Sequence, residues 1–174
     1  DKLLITRTPR LAGVISDYDR VVRQRNTLLK TRAPESSLAP WTEQLISLGA
    51  QLTAERISLV EKLNPYVTAH YAKLNEVKAA SIAYKSSTDR LTTDTESNIA
   101  ILTEQQKEVA YKESERGVSL IGPHRDDLHL HLGDFPAKGY ASHGESWSMA
   151  IALRIGSFTL LRDEGASPIL ILDD

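Results

Sequence analysis

Two adjacent carboxylates, Asp173 and Asp174, close the apolar run Pro168-Ile169-Leu170-Ile171-Leu172. A run of that size bounded by proline predicts a buried strand, and buried parallel strands present functional side chains at their C-terminal ends. Acids so placed suit a hydrated Mg²⁺, which takes one or two carboxylates together with phosphate oxygens and water. The bland alternative is a solvated strand terminus. Upstream, Tyr140-Ala141-Ser142-His143-Gly144-Glu145-Ser146 precedes a long apolar stretch of helical character. Ser142 and Gly144 would place a hydroxyl and unobstructed amides at a helix start, which is an anion-binding arrangement. The competing expectation is that Ser146 caps the helix while Gly144 eases the turn.

A third cluster is Gly122-Pro123-His124-Arg125-Asp126-Asp127-Leu128. An arginine beside carboxylates is either a phosphate clamp or an ion pair that holds a loop, and the residue types leave both open. Next, Leu128, Leu130 and Leu132 fall on one side of a strand and His129 and His131 on the other. Two histidines at that spacing can share a metal, but with no third ligand in view a wet strand face is the simpler reading. A metal-dependent hydrolase built on His124, Asp126, His129 and His131 is one alternative function.

The loop, helix and acid-tipped strand, in this order, resemble the signature and Walker B region of an ABC-type ATPase head. With the Gly-Pro-His-Arg-Asp-Asp-Leu cluster, Pro136-Ala137-Lys138-Gly139 leading into the Ser142 loop, Gln24-Arg25-Asn26-x-Leu28-Leu29-Lys30 and Trp41-x-x-Gln44-Leu45, the chain resembles the RecF family of bacterial DNA replication and repair proteins, in an actinobacterial form. The resemblance covers nearly the whole chain.

It implies an ATP- and Mg²⁺-dependent protein in which ATP joins two protomers, the signature loop of one capping the γ-phosphate bound by the other. Ser142, Gly144 and Glu145 would act there in trans, Asp173 would hold Mg²⁺, and Asp174 would be the candidate general base. Many ABC heads carry Glu at that last position, and the shorter Asp reaches less far, so slow hydrolysis that times release is expected. Gly122, His124, Arg125, Asp126 and Asp127 form a family motif without assigned roles. His143 and Glu145 depart from the usual Leu-Ser-Gly-Gly-Gln signature, and a glutamate near a triphosphate repels it unless a base pairs with it. The resemblance further implies binding to single-stranded or gapped DNA, cooperation with RecO and RecR in loading RecA, a place in the response to DNA damage (the SOS response), and a cytoplasmic location. A non-catalytic SMC-like helical scaffold is the main alternative.

With 174 residues, 41% hydrophobic and 25% charged, the chain has an ordinary soluble balance and enough length for a substantial core. It has no cysteine, which excludes disulfides and thiolate metal sites. No Gly-x-x-x-x-Gly-Lys-Ser/Thr occurs. The resemblance therefore places the P-loop before residue 1 and the D-loop beyond Asp174, and this stretch alone is not expected to hydrolyse ATP.

These motifs need elements to position them. The expected class is α+β: a helical arm or second lobe over residues 1–115, with antiparallel helices, and part of an ABC head with a mixed sheet over 116–174. Apolar spacing predicts a helix over Leu11–Arg32. Residues 1–33 carry eight Lys/Arg against three Asp, and Arg20, Arg23, Arg25 and Lys30 are the candidate DNA-phosphate contacts, against the alternative of a solvated basic face. Ala33–Pro40 reads as a linker. Trp41, Leu45, Leu48, Leu52, Leu59 and Leu63 form a helical seam, which Asn64-Pro65 should interrupt, with Asn64 capping a second helix whose buried face is Val67, Tyr71 and Leu74. Ile82–Ser86 reads as a strand, Ser86–Ser97 as a loop, and Ile99–Glu115 as a helix. Residues 89–115 hold seven acids against three bases, so that face is not expected to meet DNA. Val118–Ile121 reads as a strand. Ser146–Leu161 is apolar nearly all round, and Trp147 and Met149 are expected in the core.

Overall fold

The computed structural model describes residues 1–75, 77–86 and 88–171. Its elements in order are α1 (Lys2–Arg7), α2 (Leu11–Lys30), α3 (Glu35–Ala72), β1 (Ala80–Lys85), α4 (Thr95–Arg116), β2 (Asp127–Leu132), β3 (Phe135–Pro136), the single turn α5 (Ala137–Tyr140) and α6 (His143–Asp163). The three strands form one sheet in the order β1-β2-β3, with β2 and β3 antiparallel and Leu132 opposite Phe135. The class is α+β, as expected.

Two compact units result, each discontinuous in sequence: residues 1–57 with 85–127, and residues 58–84 with 128–174. The single boundary expected at 115/116 differs from this division because α3 supplies its first part to one unit and its last part to the other. In the first unit Leu4, Leu11, Tyr18, Val21 and Leu45 are buried, and Ile46, Ala50, Leu91, Leu102 and Ile121 pack as one cluster. In the second, Leu63, Val67, Tyr71, Ile82, Leu132, Met149 and Leu160 are buried.

Several expectations are corrected. No linker spans 33–40: α3 begins at Glu35, directly after Pro34, whose carbonyl accepts from the amides of Ser37 and Leu38. Nor does α3 stop at Asn64-Pro65. An interior proline costs about 3 kcal/mol, but Leu59, Leu63, Val67 and Tyr71 recur at every fourth position and are all buried. At roughly 1.5–3 kcal/mol for each fully buried large apolar side chain, that continuous face outweighs the proline. Asn64 caps nothing; its Oδ1 accepts the amide of Ile82, inside β1, at 2.8 Å and so ties that strand to α3. Leu74, expected in the core, is exposed.

Val118–Ile121 is not a strand. The amides of Ser119 and Leu120 are taken by the side chains of Asn26 (2.7 Å) and Glu113 (2.6 Å), so neither is left for a neighbouring strand. Pro168–Ile171 likewise carries no strand assignment, and Leu172, Asp173 and Asp174 lie outside the described residues.

Helix α6 buries Met149, Ala152, Gly156 and Leu160, a single stripe at steps of three, four and four. Trp147, two residues before Met149, is rotated about 200° from that stripe and is exposed, contrary to expectation. Its indole N–H donates instead to His143 Nε2 one turn earlier, at 3.0 Å. Gly156 is required by packing: a Cβ there would stand 3.3 Å from the Val67 amide nitrogen and 3.4 Å from the Tyr66 carbonyl carbon.

Candidate nucleotide-contact site

The Ser142 loop is built from local sequence. Ser142 takes extended φ/ψ at the N-cap of α6, its hydroxyl accepts the Glu145 amide at 3.2 Å, and the Glu145 carboxylate accepts the Ser142 amide at 2.8 Å. This is a reciprocal capping box. The expectation that Ser146 is the cap is corrected; Ser146 lies inside the helix and its hydroxyl donates back to the Ser142 carbonyl at 2.9 Å. The Ser-x-x-Glu spacing was the sequence signal for this arrangement.

Gly144 has no structural need to be glycine. A Cβ there would meet nothing within 4 Å. Ser142, His143 and Gly144 are all exposed, so the first turn of α6 is reachable from solvent, and a helix start of this kind is where an anion binds.

Glu145 is not an isolated negative charge. Lys78, just before β1, sets its ammonium 2.6 Å from Glu145 Oε1. That ion pair, with the hydrogen bonds from Ser142, holds the Glu145 carboxyl down at about 2. Sequence reading missed Lys78, because 67 residues separate it from its partner.

In the other unit the Gly122–Asp127 motif is anchored through the side chains of His124 and Arg125 and the carbonyl of Pro123. His124 Nε2 and the Arg125 guanidinium both point at the Ser119 carbonyl, at 3.2 Å from Nε2 and Nε and 3.1 Å from Nη2. Since a carbonyl only accepts, Nε2 carries the imidazole proton and Nδ1 accepts from the Tyr18 hydroxyl at 2.7 Å. Burial pushes His124 below its usual value, so the neutral ring is favoured. Arg56 donates to the Pro123 carbonyl at 2.7 Å while gripping Asp1 with its other nitrogens. Gly122 adopts φ +109°, and a Cβ there would collide with the Tyr18 hydroxyl. Asp126 is half-buried and Asp127 begins β2.

Behind this turn, Arg25 is 1% exposed and Glu113 fully buried, paired at 2.6 Å. Arg25 also donates to Ser119 Oγ at 2.7 Å and Thr42 Oγ1 at 3.0 Å. Arg25 is therefore corrected as a DNA contact: its donors are committed inside the chain. Of the other basic candidates, Arg20 pairs with Asp17 at 3.1 Å, and Arg23 and Lys30 are exposed. Among the described residues no three His, Asp or Glu side chains gather as a metal site, so the hydrolase alternative has no constellation to stand on. No described helix is long and apolar enough to cross a membrane.

Comparison with known proteins gives this geometry a family. Over an alignment 202 positions long the chain is 45% identical to the DNA replication and repair protein RecF of Rhodococcus erythropolis, and over one of 208 it is 43% identical to that of Beutenbergia cavernae, each covering 100% of the chain. The chain is a RecF homologue over its whole length. It spans about half the length of these relatives, 49% and 52%. No family-wide sequence profile matches it. A solved structure of "the recombination mediator protein RecF-ATP in RecFOR pathway" superimposes on 99% of the chain with TM-score 0.89 at 21% identity, covering 48% of that RecF chain. A second, of RecF-ATPrS, superimposes on 92% with TM-score 0.84 at 19% identity, covering 44% of its own. The fold is that of the matching part of RecF. Arg25 and Asn26, part of the resemblance in the sequence, are the residues that pin Ser119 behind the Gly122 turn.

Proposed function

We propose that the full-length protein is an ATP-dependent DNA-binding protein of replication and recombination repair, acting on single-stranded or gapped DNA and assisting RecA loading with RecO and RecR. The observation that carries this reading is the identity with RecF sequences along the entire chain. The solved RecF structures described with ATP and ATPrS support ATP as the ligand.

The Ser142 loop supports a role in capping a nucleotide. Its hydroxyl stands at the N-cap of a 21-residue helix, Gly144 beside it is exposed with room at its Cβ, and the one acid in the turn is already neutralised by Lys78. In this reading Ser142, Gly144 and Glu145 of one protomer approach the triphosphate held by another, making an ATP-dependent homodimer. The nucleotide supplies the charge that joins the protomers. Asp173 is assigned to Mg²⁺ and Asp174 to the base for the attacking water, giving slow hydrolysis that times release. DNA phosphates would be met by Arg20, Arg23 and Lys30, without Arg25.

Sedimentation of the full-length protein with and without ATP and Mg²⁺ tests the reading. Wild type should dimerise only with ATP, and Ser142→Arg and Asp173→Asn should reduce that association sharply. A monomer indifferent to ATP would instead favour the helical-scaffold alternative.

A further inference from the structure

The conflict between Glu145 and a triphosphate has a local solution. Lys78 does not sit on the same element as Glu145. It lies in the turn between α3 and β1, where the Asn75 side chain accepts the Val77 and Lys78 amides at 2.9 and 3.4 Å, and the neighbouring Ala79 carbonyl accepts the Gly133 amide at 2.7 Å. The backbone that carries Lys78 is thus held from two sides. Its ammonium meets Glu145 Oε1, while Glu145 Oε2 accepts the Ser142 amide. Each carboxylate oxygen has its own partner, and Ser142 is oriented through them.

We propose that Lys78 is the positioning residue of the Ser142 loop: it neutralises Glu145 and locks that carboxylate into the capping box, so that the start of α6 can accept an anionic ligand. The proposal rests on the composite nucleotide site described above and names the residue that makes it electrostatically workable. An uncompensated carboxylate one turn from a triphosphate would repel it, most strongly once the partner protomer excludes water from between them. The pairing removes that charge without removing the cap. The lowered pKa of Glu145, caused first by the hydrogen bond from Lys78, keeps the carboxylate ionised and fits a permanently charged pair. Lys78 acts through Glu145 and is not assigned a contact with the reacting phosphate.

The test is ATP-dependent dimerisation of the full-length protein by sedimentation, alongside ATP affinity of the monomer measured with a fluorescent ATP analogue. Lys78→Gln should weaken dimerisation by about tenfold or more while leaving the monomer's ATP affinity and its thermal midpoint near wild type. Lys78→Arg, which keeps the charge, should dimerise well. Removing the acid as well, in Lys78→Gln/Glu145→Gln, should recover most of the loss, since the repulsion goes with it and Gln still completes a capping box. Two results overturn the proposal: Lys78→Gln dimerising as wild type does, or the double variant behaving no better than Lys78→Gln. The control Ser142→Arg separates the two levels. If it dimerises normally with ATP the composite site itself fails, whereas if it does not and the Lys78 variants are neutral, only the role of Lys78 fails.

Discussion

Arg25 and Glu113 form an ion pair of 2.6 Å in which neither side chain has meaningful access to solvent. Glu113 Oε2 also accepts Gln106 Nε2 at 2.6 Å and its Oε1 accepts the Leu120 amide. Two helices and the approach to the Gly122 turn are therefore joined at one carboxylate.

Breaking one side of such a pair leaves an unpartnered buried charge. Arg25→Met or Glu113→Leu alone should destabilise the protein by about 3–5 kcal/mol, whereas the double apolar replacement should lose much less. Urea denaturation of the three variants decides it. A single variant within about 1 kcal/mol of wild type would mean that the pair is not buried as described.

Protonation of His124 should oppose folding. Its folded value is lowered from the 6.5 of a free imidazole, so the unfolded chain binds the proton more readily. The stabilisation is fully present above pH about 6.5 and is lost as pH falls below that toward the folded value. Wild type should lose stability between pH 7.5 and 5 relative to His124→Gln, and nitrogen-15 NMR should find the neutral ring protonated at Nε2. An Nδ1–H tautomer would contradict the Tyr18 and Ser119 partners.

Gly122→Ala should destabilise by about 1–3 kcal/mol, because the backbone lies in a region that L residues avoid and the new methyl meets the Tyr18 hydroxyl. Because Tyr18→Phe alone also loses the hydrogen bond to His124, it is the reference for the double variant, and against it Gly122→Ala should still cost the backbone part. No cost against that reference, read from thermal midpoints, would show that the positive φ carries no strain.

Gly144→Ala separates structure from function. With open space at Cβ and an α-helical setting, it should fold at least as stably as wild type, by up to about 1 kcal/mol. ATP-dependent dimerisation of the full-length protein should nevertheless weaken, since the methyl occupies the approach to the α6 amides. Wild-type dimerisation by this variant would count against a ligand at that helix start.

The amphipathic period of α2, the existence of α4, the α+β class and the RecF relationship were all legible in the residue order, because helix faces and motifs are written at short range. The same short range hid other features. Pro65 reads as a stop to any local rule, yet the buried positions Leu59, Leu63, Val67 and Tyr71 lie on both sides of it and carry the helix through. Val118–Ile121 has strand chemistry, but Asn26 and Glu113 claim its amides from elsewhere in the chain. Trp147 has core chemistry on the wrong side of α6.

The sequence by itself determined the motif set: a Ser-x-Gly-Glu loop ahead of an apolar helix, the Gly122–Asp127 cluster, and a basic first segment. Composition and spacing suffice for these because each is a local pattern. Only the tertiary structure decided what the charges do. It turned Arg25 from a surface candidate into a buried anchor, directed Arg125 onto the Ser119 carbonyl, and brought Lys78 to Glu145 across 67 residues of chain. The physical reason is that a charge's role depends on its desolvation and on the partner within a few ångströms, and both are set by which distant segments pack together.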